Sequence, residues 1–321
     1  MSRAPVAAPP ITATRIGRVE LPNPVLTASG TAGLGAELAP FFPLAALGAT
    51  VTKSLSPDPW AGNAAPRLHP LPAGMLNSVG LENPGTVAWR DRHLPAVAAT
   101  GARVVVSIWG FSADDFRRAA ADVAAAAAGP GGECIVAVEA NISCPNVEDR
   151  RRVFAHTAAG AVAAVSAAAT GLGDSRLPLW AKLSPNVTDL TEIADAVIGA
   201  GAETLTLVNT LIGLAIDPAS GRPRLGHGGG GLSGPALHPV AVRAVHDCRA
   251  AFPGVGIVGV GGVATGEDAA ELLAAGADGV GVGTATFADP RAPHRVLTGL
   301  VAWCADHDIR HIDQLRGRSH A

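Results

Sequence analysis

The chain alternates eight times between a short apolar run and an Ala-rich stretch of helical character, and this alternation constrains the fold most strongly. The apolar runs predict strands over 23–29, 49–54, 103–109, 135–141, 178–184, 204–209, 256–261 and 279–284. Helices are predicted near 35–47, 86–99, 112–128, 157–169, 188–200, 236–252, 265–275 and after 290. Each strand is apolar on both faces, as parallel strands covered by helices are. Eight such units in 321 residues predict an α/β fold with a single (β/α)8 TIM barrel, and a doubly wound open sheet is the alternative.

No break in composition marks a second domain, so we predict a loose leader over 1–15 and one barrel over 16–321. A Pro- and Gly-rich insert over 55–85 follows the second strand, and we expect it to cover the C-terminal mouth of the barrel. The first residues, "MSRAPVAAPPITATRIG", lack the apolar segment of a signal peptide or membrane span. We therefore expect a cytoplasmic protein with no membrane partner.

Charge and cysteine usage narrow the class of function. The net charge is -3 and there is no sustained basic run, which argues against a nucleic-acid or acidic-membrane surface. The four cysteines form no CxxC pair, and the histidines show no metal-binding spacing. We therefore expect no metal site, no iron–sulfur cluster and no disulfide framework in this chain.

Polar side chains stand at the predicted carboxyl ends of several strands. Lys53 ends the second strand, Asn141 the fourth and Lys182 the fifth, and Asn209 ends the sixth. The carboxyl ends of barrel strands share one face, so these groups are expected to converge. Amides and ammonium groups of this kind suit the recognition of a small planar molecule.

Two glycine-containing loops follow the seventh and eighth strands, "GVGGVATG" and "GVGTATF". They place Gly261 and Gly262, then Gly283 and Thr284, where barrels often bind a phosphate through bare backbone N–H groups. Tight turns without a ligand are the alternative interpretation of each loop. The two loops together favour a phosphate site.

Lys182 and Cys144 are the two candidate catalytic residues. A buried lysine at a strand end needs a partner or a shifted pKa. An ion pair with a barrel carboxylate such as Glu139, a Schiff base and a cation beside a cofactor are all open. Cys144 lies in a polar loop between Asn141 and Asn146. Most lone cysteines fill cores, but a thiol in such a loop is also suited to act as a base or nucleophile.

Nine motifs, in order, resemble the dihydroorotate dehydrogenase family from about residue 15 to the C-terminus. They are "ASGTAG" (28–33), "TVTKS" (50–54), "GMLNSVGLENPG" (74–85), "NISCPN" (141–146), "WAKLSPNVTD" (180–189), "LVNTLIG" (207–213), "GGLSGPA" (230–236), "GVGGV" (259–263) and "GVGTATF" (281–287). The resemblance is to class 1, and most to the class 1B catalytic subunit.

The resemblance implies an FMN-dependent oxidoreductase that converts dihydroorotate to orotate in de novo pyrimidine (UMP) biosynthesis. It implies that Cys144 is the base at C5, that the C6 hydride passes to flavin N5, and that Lys182 lies at the N1/O2 side of the flavin. The substrate-binding residues it implies are Lys53, Asn77, Gly80, Leu81, Asn141, Asn146, Asn209 and Thr210. The cofactor-binding residues it implies are Ala28, Ser29, Lys53, Ser54, Asn141, Lys182, Val208, Ser233, Gly234, Gly261, Gly262, Gly283 and Thr284.

Class 1B also implies an iron–sulfur/FAD electron-transfer subunit as a partner. For the oligomeric state, the resemblance implies a homodimer or a heterotetramer. Two features depart from the family pattern. An Arg-rich stretch, "EDRRRVFAHTA" (148–158), replaces a Gly-containing loop, and Trp109 stands where a small residue is usual. A dehydrogenase or reductase of a related dihydropyrimidine therefore remains an alternative, as does a flavin-free barrel lyase that uses Lys182.

Overall fold

The computed structural model describes residues 12–143 and 154–321 as an alternation of strands and helices. Its strands are β1 (Thr14–Ile16), β2 (Val19–Leu21), β3 (Val25–Thr27), β4 (Thr50–Val51), β5 (Leu68–Leu71), β6 (Gly74–Asn77), β7 (Val104–Ile108), β8 (Ile135–Asn141), β9 (Leu179–Lys182), β10 (Thr204–Leu207), β11 (Leu211–Gly213), β12 (Ile216–Asp217), β13 (Arg222–Pro223), β14 (Gly230–Ser233), β15 (Gly256–Val260) and β16 (Gly279–Val282). Its helices are α1 (Thr86–Arg92), α2 (Leu94–Ala98), α3 (Ala113–Ala127), α4 (Ala158–Leu172), α5 (Leu190–Gly199), α6 (His238–Ala251), α7 (Gly266–Ala274), α8 (Ala285–Ala288) and α9 (Ala292–Asp306).

Eight parallel strands form the central sheet, in the order β3-β16-β15-β10-β9-β8-β7-β4. The two ends of this sheet meet, because Leu26 and Ala49 form a parallel bridge and Gly48 N donates to Val25 O over 2.9 Å. The sheet is therefore a closed barrel, with helices between successive strands. This confirms the TIM barrel and excludes the open doubly wound sheet.

All eight predicted barrel strands are present, but one predicted helix is wrong. Residues 35–47 form turns and a short 3-10 helix, Leu44–Ala46. Pro40 and Pro43 interrupt this stretch, and a proline inside a helix lacks the N–H and clashes with the preceding turn. The predicted helix 86–99 is divided into α1 and α2, and Pro95 lies in the first turn of α2, where it is tolerated.

The barrel interior carries its own apolar cluster, separate from the core between strands and helices. Leu26, Val51, Val105, Trp180 and Val258 are among its members. The β1–β2 hairpin packs against the same cluster through its apolar residues and covers the amino-terminal end of the strands. The division into a leader over 1–15 and a barrel from 16 stays a prediction, and β1 begins two residues before that boundary.

A four-stranded antiparallel sheet, here called the roof sheet, covers the opposite end of the barrel in the order β11-β14-β6-β5. β5 and β6 belong to the insert after β4, as predicted, while β11 and β14 follow β10. Glycines allow the close approach of these segments. A Cβ at Gly74 would lie 2.1 Å from Ser233 O, and one at Gly230 would lie 2.4 Å from Asn77 O. No larger residue fits at either position without moving the backbone.

Candidate active site

A cleft lies between the carboxyl ends of the barrel strands and the roof sheet. It contains about 920 Å³ that is free of protein atoms, part of it open to solvent. The strand-end residues Lys53, Asn141, Lys182 and Asn209 all line it, so the structure brings together the groups that the barrel topology predicts to converge.

All but three of the site residues implied by the family resemblance line this cleft. They are Ala28, Ser29, Lys53, Ser54, Asn77, Leu81, Asn141, Lys182, Val208, Asn209, Thr210, Ser233, Gly234, Gly261, Gly262, Gly283 and Thr284. Gly80 does not line it. Cys144 and Asn146 lie outside the described residues, as does most of the Arg-rich stretch 148–158.

Some residues line the cleft that the sequence analysis did not assign. They are Gly30, Thr31, Leu68, Met75, Val79, Leu237, Val260 and Phe287. Several of these residues lie within motifs that the sequence analysis quoted, such as "ASGTAG" and "GVGTATF". Their position in these motifs could have predicted that they line the cleft. Leu68 carries no such signal, because it reaches the cleft only through the pairing of β5 with β6.

Lys53 and Lys182 are the only two lysines in the chain, whose other 22 cationic side chains are arginines. Both lysines line the cleft. Lys182 is 5% exposed, and its Nζ donates to Ser29 Oγ over 3.0 Å. Lys182 makes no ion pair with Glu139, so that interpretation of its role is wrong. An ammonium is a compact point charge, and the sequence uses it only here.

Two asparagine amides are held in fixed orientations at one side of the cleft. Asn141 Oδ1 accepts from Ser143 Oγ over 3.0 Å and from Asn209 Nδ2 over 3.3 Å. Asn209 Nδ2 also donates to Ser143 Oγ over 2.9 Å, and Asn209 Oδ1 accepts from the Thr210 N–H over 2.8 Å. These bonds orient both amides before any ligand binds.

The loop that carries Leu81 into the cleft is held from behind by Trp60. Leu81 has a φ of +61°, which is unusual for a residue with a branched side chain. Trp60 and Asn83 exchange two backbone hydrogen bonds of 2.9 Å each, and Trp60 Nε1 donates to Gly80 O over 2.9 Å. A Cβ at Gly80 would lie 2.4 Å from Asn63 Oδ1. Only glycine at position 80 therefore leaves room for Asn63 behind this loop.

An aromatic cluster of Trp60, Trp109 and Phe111 supports Trp60 in turn. The ring centroids of Trp60 and Phe111 are 4.9 Å apart, those of Trp109 and Phe111 4.8 Å, and those of Trp60 and Trp109 6.5 Å. All three pairs have the edge-to-face geometry that aromatic rings favour. Trp109, where the family pattern has a small residue, therefore buttresses the Leu81 loop.

The glycine loop after β15 is braced by His238, which the sequence analysis did not assign. His238 Nδ1 lies 2.8 Å from Gly261 O, and its Nε2 lies 3.1 Å from Glu271 Oε2. A carbonyl oxygen only accepts, so Nδ1 carries a proton. A Cβ at Gly262, which has a φ of +70°, would lie 2.6 Å from His238 Cβ. Only glycine fits at this turn.

The described residues hold no cluster of three or more His, Cys, Asp or Glu side chains arranged to bind a metal ion. Over the same residues, no helix is both long and apolar enough to cross a membrane.

Comparison with known proteins gives the family of this chain. A family model described as dihydroorotate dehydrogenase matches residues 11–303. A Desulforudis audaxviator protein, named dihydroorotate dehydrogenase B (NAD(+)), catalytic subunit, is 45% identical over 309 residues, covering 96% of this chain and 97% of that protein. A Desulforamulus reducens protein of the same name is 41% identical over 311 residues, covering 96% and 98%.

The fold has a solved counterpart in the crystal structure of DHODH from Eimeria tenella in complex with ferulenol. The TM-score is 0.77 at 23% identity, over 96% of this chain and 88% of that one. This likeness shows that the two chains share the barrel. With the family model and the curated relatives, it leads to one conclusion: the chain belongs to the dihydroorotate dehydrogenase family, and within it is similar to the class 1B catalytic subunits.

Proposed function

We propose that this protein oxidises dihydroorotate to orotate in de novo pyrimidine biosynthesis, with FMN bound in the cleft. The observation that carries the proposal is the convergence of both lysines of the chain with two oriented amides in one cleft beside two glycine loops. Family membership and the names of the relatives support the same substrate.

The enzymes of this family use FMN, and the cleft residues fit such a group. Gly261 and Gly262 on one loop and Gly283 on the other present no side chains, which leaves backbone N–H groups able to approach a phosphate. Lys182 and Ser29 provide a charged donor and a hydroxyl for a polar ring edge. Ser54, Val208 and the other predicted cofactor residues would line the rest of the isoalloxazine.

When bound, FMN supplies a redox centre that accepts a hydride equivalent from the substrate. The chain supplies binding, orientation and proton transfer. The Lys182 ammonium would stabilise negative charge that grows beside it during reduction. Asn77, Asn141, Asn209 and the backbone near Leu81 would hold the ring and carboxylate of the substrate, since amides offer both donors and acceptors.

We assign the proton transfer to Cys144, which follows β8 by three residues. Its thiolate would take the proton from C5 of dihydroorotate as the C6 hydride leaves. Asn146 and Lys53 would contact the same substrate. The support for these roles is the "NISCPN" motif and the position of β8 at the mouth of the barrel.

We also propose that the electrons leave through a second subunit carrying an iron–sulfur cluster and FAD. The relatives are named catalytic subunits of an enzyme that uses NAD(+), and a catalytic subunit implies a partner. A single barrel domain over 16–321 and a cytoplasmic location complete the proposal. The free thiols of Cys134, Cys248 and Cys304 are consistent with a reducing compartment.

An anaerobic visible spectrum of the purified protein, taken before and after addition of dihydroorotate, tests the function. We expect a yellow protein whose visible flavin absorbance is bleached when dihydroorotate is added. A yellow protein that stays oxidised would contradict the assigned substrate. A colourless protein that FMN does not reconstitute, and in which borohydride traps a substrate on Lys182, would establish the lyase alternative instead.

A further inference from the structure

Glu139 is a buried acid that the proposed chemistry does not use. It lies in β8, two residues before Asn141, and is 2% exposed. Within the described residues it has no cationic partner, and its carboxylate accepts a hydrogen bond from Ser107 Oγ over 3.1 Å. Burial of an acid in a barrel interior carries a large desolvation cost, which the hydrogen bond from Ser107 offsets in part.

A continuous series of short hydrogen bonds leads from Glu139 to the cleft. Ser107 Oγ lies 2.9 Å from Ser54 Oγ, and Asn141 Nδ2 donates to Ser54 Oγ over 3.0 Å. The atoms of these bonds are buried. The Ser107 backbone N–H is separately held by Thr52 Oγ1 at 3.1 Å. The series joins three neighbouring strand regions of the barrel and ends at an amide that lines the cleft.

The direction of each bond follows from the first. Ser107 Oγ donates to Glu139 Oε1, so the single Ser107 hydroxyl proton points to Glu139. Ser107 Oγ must then accept the Ser54 hydroxyl proton. With its proton committed, Ser54 Oγ can only accept from Asn141, which therefore turns its NH2 group toward Ser54 and its oxygen away.

The opposite side of the Asn141 amide gives the same assignment independently. Asn141 Oδ1 lies 3.4 Å from the Ser143 backbone N–H, which can only donate. It also accepts from Ser143 Oγ and from Asn209 Nδ2. The two ends of the network therefore agree on one orientation, and that orientation extends to Asn209.

We propose that Glu139 is a positioning residue whose carboxylate, acting through Ser107 and Ser54, locks the orientation of the Asn141 amide that recognises the substrate. The inference rests on the proposed function, because it takes the ligand of Asn141 to be the pyrimidine ring. Glutamine at 139 removes the lock, since its NH2 group can donate to Ser107 and release the Ser54 proton. The Asn141 amide is then held from the Ser143 side alone, and its orientation toward the ring is less strongly fixed.

The test compares Glu139→Gln, Ser107→Ala and the double variant as FMN-loaded holoenzymes. Orotate affinity is measured from the change in the visible spectrum of the oxidised protein, and steady-state rates separate KM from kcat. We expect each single variant to bind orotate about tenfold more weakly, with a matching rise in KM and kcat within about twofold. Because both variants break one series of bonds, the double variant should be no weaker than either single one.

Thr204→Val is the matched control. Thr204 is fully buried in β10, inside the same barrel, and its Oγ1 has no hydrogen-bond partner within the described chain. Valine has the same shape, so orotate affinity is expected to stay at the wild-type value. If Glu139→Gln does not fold, Ser107→Ala breaks the same series while leaving the carboxylate in place, and its affinity decides the question.

The outcomes separate this inference from the proposed function. A wild-type protein that neither binds orotate nor is reduced by dihydroorotate would overturn both. A wild-type protein that binds orotate, with Glu139→Gln and Ser107→Ala binding equally well, would overturn the role of Glu139 alone. Additive losses in the double variant would also overturn it, because the two residues would then act separately.

Discussion

Lys182 and Ser29 meet across the mouth of the barrel, where the Lys182 ammonium donates to the Ser29 hydroxyl over 3.0 Å. Lys182 ends β9 and Ser29 follows β3, and these strands stand four places apart in the order of an eight-stranded barrel. The bond therefore spans the opening from opposite sides. It holds the buried Lys182 side chain in the cleft before any ligand is bound.

Loss of this charge is expected to slow flavin reduction more than it weakens substrate binding. Lys182→Met keeps the length and apolar stem of the side chain but removes the ammonium. We expect the rate of flavin reduction by dihydroorotate, measured by anaerobic stopped-flow, to fall about a hundredfold. Lys182→Arg is the control for charge alone. A reduction rate for Lys182→Met within about threefold of wild type would contradict the role of the ammonium.

Removal of the proposed base is expected to leave a yellow but nearly inactive protein. Cys144→Ala deletes the thiol without adding bulk, so FMN content should stay at one per chain. Flavin reduction by dihydroorotate should fall by about a hundredfold or more, as for other lost general bases. Cys304→Ala, a buried position in α9 far from the mouth, is the control and should reduce at the wild-type rate. Equal rates in the two variants would remove Cys144 from the mechanism.

Thiol alkylation is expected to single out Cys144 among the four cysteines. Burial raises the pKa of the Cys248 thiol to about 12 and that of the Cys134 thiol to about 11, and burial also raises the pKa of Cys304. A raised thiol pKa lowers the thiolate fraction at a given pH, so at pH 8 these three groups react slowly. Iodoacetamide followed by peptide mass spectrometry should show label on Cys144 first, with loss of activity in parallel and protection by orotate. Early label on Cys248 or Cys134 would contradict this order.

The bond from Trp60 to the Leu81 loop is expected to matter for the substrate and not for the cofactor. Trp60→Phe keeps an aromatic ring against Trp109 and Phe111 but removes the Nε1 donor to Gly80 O. One such bond is worth about a fivefold change in binding, so KM for dihydroorotate should rise by about that factor while FMN affinity is unchanged. Trp303→Phe, in α9, is the control. A change in FMN affinity instead would place this loop against the cofactor.

A separate prediction concerns stability, at the end of the barrel away from the cleft. Asp278 accepts from Arg249 over 2.8 Å, from Arg316 over 3.1 Å and from the Ile257 N–H over 2.8 Å. Asp278→Asn leaves the Arg249 guanidinium, whose side chain is only 13% exposed, without its counter-charge, which costs about 3 kcal/mol. Thermal unfolding of the holoenzyme should show the loss, while kcat at low temperature stays at the wild-type value. An unchanged unfolding temperature would mean that the pair contributes nothing net.

The sequence predicted the barrel well because its strands are buried on both faces, which leaves an unbroken apolar run such as that of β15. The strand ends then located most of the cleft. The roof sheet was not predicted, because β5 alternates between half-buried and exposed residues and β11 contains a glycine. Its pairing joins segments about 150 residues apart, and no local pattern reports such a contact. The bracing contacts of Trp60 with Gly80 and of His238 with Gly261 join residues 20 and 23 positions apart, which is also beyond the reach of a local pattern.

The roof sheet limits which segments can be exchanged between members of the family. Its two halves come from different parts of the chain, and Gly74 and Gly230 let their backbones approach closely. A hybrid enzyme that received the 55–85 insert of one relative and the 210–234 segment of another would have to match both surfaces at once. The two segments therefore form one exchangeable unit, and a substrate preference carried by either can be transplanted only when both are moved together.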